Sequence, residues 1–151
     1  MNIETIIEQL SSEHTDKCLV VTDNQLDSPH PCILWVNNKF EELTGYTLEE
    51  LKGKSPRTIQ GEKTDRKTLD RIKKTLKDGG IFEGSILNYK KDGTEFTKAW
   101  RIVPIKDENE SILYYLAVHQ EVKIIGDYDE VMNDIIKIQD SILKKLDKMI
   151  H

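Results

Sequence analysis

Three alternating stretches, residues 81–90, 95–105 and 111–121, leave this chain few folds to choose from. Lys91-Asp92-Gly93-Thr94 joins the first two, and Gly93 supplies the positive φ that a tight hairpin needs. Asp107 to Glu110 turn the chain into the third. Such a meander has two faces, and apolar residues on either must be covered by something. Two further runs, CLVVT (18–22) and CILWV (32–36), read as strands separated at hairpin distance by the turn-rich segment Asp23 to Pro31. Helices lie between the two groups of strands. Asn37 caps a short one carrying Phe40 and Leu43 that Gly45 ends, and Thr47 with Glu50 makes a capping box for the next. Leu69, Ile72 and Leu76 mark an amphipathic helix over 65–78, stopped by Gly79–Gly80. At the N-terminus, Ile3, Ile6, Ile7 and Leu10 share a helical face with Asn2 as cap. Strands, helices, then a meander predict an α+β fold with short helices on one face of an antiparallel sheet.

From Asp127 the pattern changes. Gly126 breaks the last strand, and Asp127 with Glu130 gives a D-x-x-E helix start. Ile125, Tyr128, Met132, Ile135, Gln139, Ile142, Leu146 and Met149 follow alternating steps of four and three, widened by Ile136, Leu143 and Ile150. So broad a stripe must be buried, on a partner or on its own domain. The expectation is a homodimer or a signalling connector built on this helix, with docking onto the sheet as the alternative. The expected division is a flanking helix (1–15), a sheet-bearing domain (16–122) and a C-terminal coiled-coil-like helix (123–151).

Composition narrows the function classes. With 22 Lys and Arg against 27 Asp and Glu, the net charge of −5 argues against nucleic acid as a partner. No apolar run could span a membrane, and residues 1–17 lack a signal peptide's apolar stretch, so a cytoplasmic protein is expected. Cys18 and Cys32 open two strands without metal-ligand spacing and read as buried small hydrophobes, so no metal site is expected. No nucleophile motif or Gly-rich phosphate loop supports catalysis, and no kinase, cyclase or DNA-binding motif follows the last helix. The chain is expected to be no enzyme, either a short protein acting through a downstream signalling protein or a piece of a larger one.

The candidate site starts from Gly53 to Asp65, GKSPRTIQGEKTD, a proline-restricted loop bearing Arg57 and Gln60. On the strands, Phe96, Lys98, Trp100 and Ile102 share one face, as do Tyr115, Ala117 and His119, and Ile86 with Asn88. If these sets meet under the helices, Asn88, Lys98 and His119 are polar groups in an apolar concavity, as in a ligand pocket. The alternative places Lys98 snorkelling at the sheet edge and His119 bonded to a backbone carbonyl.

The runs ILWVNNKFEELTGYTLEELKGKSPRTIQGEKTD, FEGSILNYKKDGTEF and YYLAVHQEV resemble, in order, the PAS sensory domains, and within them the flavin-binding LOV branch. The resemblance spans roughly residues 16–122 and implies a five-stranded antiparallel PAS sheet. It implies FMN or FAD as cofactor, with Arg57 and Lys73 toward phosphate, Gln60 on the ribityl side and Asn88 at the ring. The LOV loop reads G-x-N-C-R-F-L-Q-G where this chain reads G-K-S-P-R-T-I-Q-G. Pro56 thus occupies the adduct position, and proline has no thiol. Lys98 stands for the second ring asparagine, His119 for the glutamine at the flavin, and Trp100 shares their face. The strand ending YYLAVHQE also resembles FAD-binding redox PAS domains of nitrogen-fixation regulators. The resemblance therefore implies a sensor without cysteinyl-adduct photochemistry, binding a small ligand or flavin. A flavin redox or photoreducible electron-transfer sensor, and a ligand-free scaffold filled by Trp100, are the alternatives.

Overall fold

A computed structural model describes residues 1–123 and 125–150, leaving aside the side chains at 125 and 150. The strands are β1 (Cys18–Thr22), β2 (Ile33–Val36), β3 (Phe82–Tyr89), β4 (Glu95–Lys106) and β5 (Ile112–Glu121). They form one antiparallel sheet in the order β2-β1-β5-β4-β3. The meander β3-β4-β5 is as expected, and the β1–β2 hairpin adds to it through β1 against β5.

Helices α1 (Ile3–Ser11), α2 (Asn38–Thr44), α3 (Leu48–Leu51), α4 (Arg66–Lys77) and α5 (Tyr128–Ile150) flank the sheet. Their ends form where local chemistry satisfies free backbone groups. Asn2 accepts from Thr5 N at 3.0 Å, the Thr47–Glu50 capping box is complete, and Gly45 adopts φ +80° at the end of α2. Asn37 does more than cap. Its Oδ1 accepts from the backbone N–H groups of Phe40 (3.2 Å) and Leu19 (3.0 Å), and its Nδ2 donates to Lys17 O (3.0 Å). It thereby fixes α2 to β1.

Alternation sorts the sheet into two buried faces. Val20, Ile33, Phe82, Ile102, Tyr115 and Ala117 pack with Phe40, Leu51, Ile72 and Leu76 of α2, α3 and α4. Leu19, Val21, Ala99, Val103, Leu116 and Val118 pack on the other side with α1 and α5.

That second face corrects the expectation for the C-terminal helix. Its stripe is covered by the chain's own sheet: Met132, Ile135, Ile142 and Leu146 are buried there beside Ile6 and Leu10 of α1. Gln139, the polar member, is wholly buried. Its Nε2 donates to Arg101 O (3.1 Å) and Leu116 O (2.9 Å), and its Oε1 accepts from Arg101 Nη1 (3.0 Å). The amide reads the sheet, not a second helix. Lys145 adds an ion pair to Glu13 at 2.8 Å. The expected seam positions Ile125 and Ile150 lie outside the described side chains. Among the described residues no helix is long and apolar enough to cross a membrane.

Candidate functional site

A cavity of about 260 Å³ lies between the first sheet face and the layer formed by α2, α4 and the loop before α4. The loop is built locally. Pro56 starts a 3-10 turn (Pro56–Ile59), Ser55 Oγ accepts from Arg57 N at 3.2 Å, and Gln60 ends the turn. Backbone bonds from Ile33 N to Lys54 O and from Gly53 N to Ile33 O, each 2.8 Å, anchor it to β2. Further along, Gly61 packs so close under the Tyr89 ring that a Cβ there would lie 2.5 Å from it. The Tyr89 hydroxyl accepts from Lys63 N at 2.9 Å, closing the loop onto β3.

The floor comes from two adjacent rungs. Trp100 pairs with His119, which pairs on its other side with Cys18, and Lys98 follows two residues along β4. His119 is 0% exposed, and neither ring nitrogen has a hydrogen-bond partner among the described residues. Its ring meets Phe40 edge to face at 5.4 Å. Burial, reinforced by Lys98, holds its pKa well below the usual imidazole value, so it is neutral. The expected alternative of a carbonyl-bonded His119 does not hold. Nor does a snorkelling Lys98: it is 3% exposed, with its ammonium 4.1 Å from the Trp100 ring centroid. Burial pushes its pKa down to about 7. Trp100 is half-buried, meets Phe82 edge to face at 5.8 Å, and its Nε1 has no hydrogen-bond partner among the described residues.

The rim is basic. Arg57 and Lys73 line the cavity and are exposed, with half-buried Gln60 between floor and solvent. Lys73 and Lys77 pair with Asp27 at 3.0 and 2.8 Å. Of the seven candidates, six line this one cavity. Asn88 does not: it pairs with Phe96, one same-face rung beyond Lys98, and is buried with its Oδ1 unpartnered among the described residues. Sequence reasoning missed Arg66 and Asp70, which also line it. Their one available signal was the position of both on the first turns of α4, directly after the loop.

A five-stranded antiparallel sheet that floors a cavity under short helices, and carries a long helix on its back, defines a sensory PAS domain. The chain belongs to that family: the PAS domain profile matches residues 16–123. It is similar to phototropin-1A of Oryza sativa (41% identical over 98 residues, covering 64% of this chain and 11% of that protein). It is also similar to a blue-light photoreceptor of Listeria monocytogenes (34% over 111 residues, 73% of this chain and 42% of that protein). Among solved structures, the LOV domain from a blue-light activated histidine kinase of Erythrobacter litoralis superposes with a TM-score of 0.66. That pair is 28% identical and covers 72% of this chain and 98% of the other. The chain thus spans less than half the length of either curated relative. It is a sensory module of the PAS type.

Proposed function

We propose that this PAS domain holds a flavin, FMN or FAD, in the cavity and senses light or redox state by electron transfer without a cysteinyl adduct. The unpartnered, wholly buried ring of His119 carries the reading. A buried donor or acceptor left without a partner costs about 1–3 kcal/mol. His119 and Trp100 Nε1 therefore favour a ligand that brings hydrogen-bonding edges into the cavity, which Lys98 also lines. Arg57, Arg66 and Lys73 at the rim suit a phosphate, the two arginines as planar forks. The relatives named as blue-light receptors support flavin as that ligand.

A bound flavin supplies visible-light absorption and reversible electron uptake. Lys98 favours negative charge above it, while neutral His119 offers one N–H and one lone pair. Pro56 brings no thiol to the loop. Cys18, at the far side of His119, is pushed up to about 12 by burial and stays a thiol.

The same strands carry the output. Lys98 and Trp100 of β4 face the cavity, while Ala99 and Arg101 between and beside them face α5, and Arg101 bonds Gln139. Repacking at the floor is felt one residue away at the helix. We infer that the module acts as a cytoplasmic homodimer and passes this change to a downstream protein. Since the stripe of α5 is buried in its own chain, the dimer contact uses another surface.

A second reading, a smaller non-flavin anion, is favoured by the cavity volume, which falls just under the roughly 300–1,000 Å³ usual for ligand sites. Titration of the purified chain with FMN, FAD and riboflavin separates the two. Saturable 1:1 uptake, weakened about tenfold for FMN but not for riboflavin by Arg57→Ala, supports flavin with phosphate at the rim. No uptake of any of the three sinks it.

A further inference from the structure

At the neck of the β1–β2 hairpin, three side chains that the sequence separates come to one point. Asp23, His30 and Cys32 each offer a ligand atom, and these atoms lie within 4.8 Å of one another. His30 Nδ1 is 2.7 Å from Asp23 Oδ2 and 3.4 Å from Cys32 Sγ. The hairpin backbone holds them there. Asp23 N donates to Cys32 O at 3.0 Å, closing the neck, and His30 N donates to Asp27 O at 2.9 Å, folding the loop back. Asp23 Oδ1 accepts from Gln25 N at 3.1 Å, which leaves Oδ2 turned to the histidine.

We propose that Asp23, His30 and Cys32 form a binding site for a borderline divalent transition-metal ion of the zinc class. A carboxylate, an imidazole and a thiolate together match that class, since hard cations avoid sulfur and soft ones avoid carboxylate. Tetrahedral zinc with bonds of about 2.0–2.3 Å sets neighbouring ligand atoms roughly 3.3–3.6 Å apart. The imidazole–thiol pair already has that spacing. The aspartate–histidine pair is closer, as a hydrogen bond, and opens by about half an ångström when the ion takes the place of the shared proton. Three protein ligands leave a fourth position for water or an incoming group.

The proton balance is simple. Burial and the neighbouring Asp23 hold the Cys32 thiol above its ordinary pKa. An ion reverses that, and one proton leaves Sγ for solvent. His30 binds through Nδ1, and the proton that Nδ1 shares with Asp23 in the free site moves through solvent to Nε2, so the ring stays neutral and the net release is the one proton from Sγ. His30 also lines the cavity, with Ser28 and Pro31 of the same loop, so a bound ion fixes one wall of the sensory cavity. This inference does not depend on the ligand of that cavity.

Cobalt(II) reports the site optically. Titrating the purified chain with Co²⁺ is expected to give one saturable equivalent, tetrahedral visible bands and a near-ultraviolet thiolate-to-cobalt band, all displaced by Zn²⁺. Cys32→Ser abolishes the thiolate band, and His30→Ala or Asp23→Asn each lowers affinity at least tenfold. On the unsubstituted chain, one equivalent of Zn²⁺ is expected to slow alkylation of Cys32, read by peptide mass. Absence of a thiolate band, its survival in Cys32→Ser, or alkylation unchanged by Zn²⁺ overturns the proposal.

Discussion

The Lys98 ammonium sits against the face of a ring, 4.1 Å from its centroid, on a side chain that is almost wholly buried. Its pKa of about 7 lies below the ordinary 10.5, which makes it a pH-linked residue with a definite sign. Between pH 7 and 9 the unfolded chain keeps a proton that the folded chain gives up, so stability rises with pH, by at most about 1.4 kcal/mol per unit. Above pH 9 Cys18, raised to about 12, contributes the opposite slope, because the folded thiol keeps a proton that the unfolded one loses. Lys98→Met is expected to raise stability at pH 7 by about 1–4 kcal/mol and to flatten the rise toward pH 9. Urea unfolding of both proteins at pH 7, 8 and 9 checks this, and equal slopes would contradict it. Lys98, Trp100 and His119 were legible as one face of a sheet because side chains alternate. Which face turned inward was not, since both faces of these strands are apolar enough to be buried and only the placement of helices decides. Asn88 shows the limit of that reading, for sharing the face did not bring it to the cavity.

Helix α5 is the element whose pattern is easiest to read and whose partner is hardest. One polar residue in an apolar seam fits a polar position in a coiled coil as well as it fits this structure. The deciding partners of Gln139 are the carbonyl oxygens of Arg101 and Leu116 on two different strands, and no local signal points to them. Gln139→Leu removes all three hydrogen bonds and is expected to cost about 2–4 kcal/mol, seen as a lower denaturation midpoint. Ile142→Asp buries an unpaired charge at a wholly buried position. It is expected to release α5, so that its amides exchange with solvent while those of β4 and β5 stay protected. A mass halved in light scattering, with α5 exchange unchanged, would instead mean that the stripe joins two chains.

For the whole molecule, one sheet serves two compartments, a polar-floored cavity on one side and a docked helix on the other. The β3-β4-β5 meander, the capped helices and the hairpin at Gly93 follow from turn chemistry and alternation, which act over a few residues, whereas the β1–β5 pairing that completes the sheet does not. The cluster at Asp23, His30 and Cys32 could not be read in the same way, because its spacing fits no metal motif and only closure of the hairpin assembles it. The loop from Gly53 to Asp65 lay between these cases: its turn was legible from Pro56 and its rim residues from Arg57 and Gln60, but not the company of Arg66 and Asp70. The central claim is that the cavity holds a flavin and works without a thiol adduct, and the light-minus-dark absorption spectrum of the flavin-supplemented chain tests it most directly. The account predicts a three-peaked blue band that bleaches under illumination with a donor, with no single ultraviolet band of a thiol adduct, and the same behaviour in Cys18→Ser. A protein left colourless after supplementation, or an adduct band that disappears in Cys18→Ser, would contradict it.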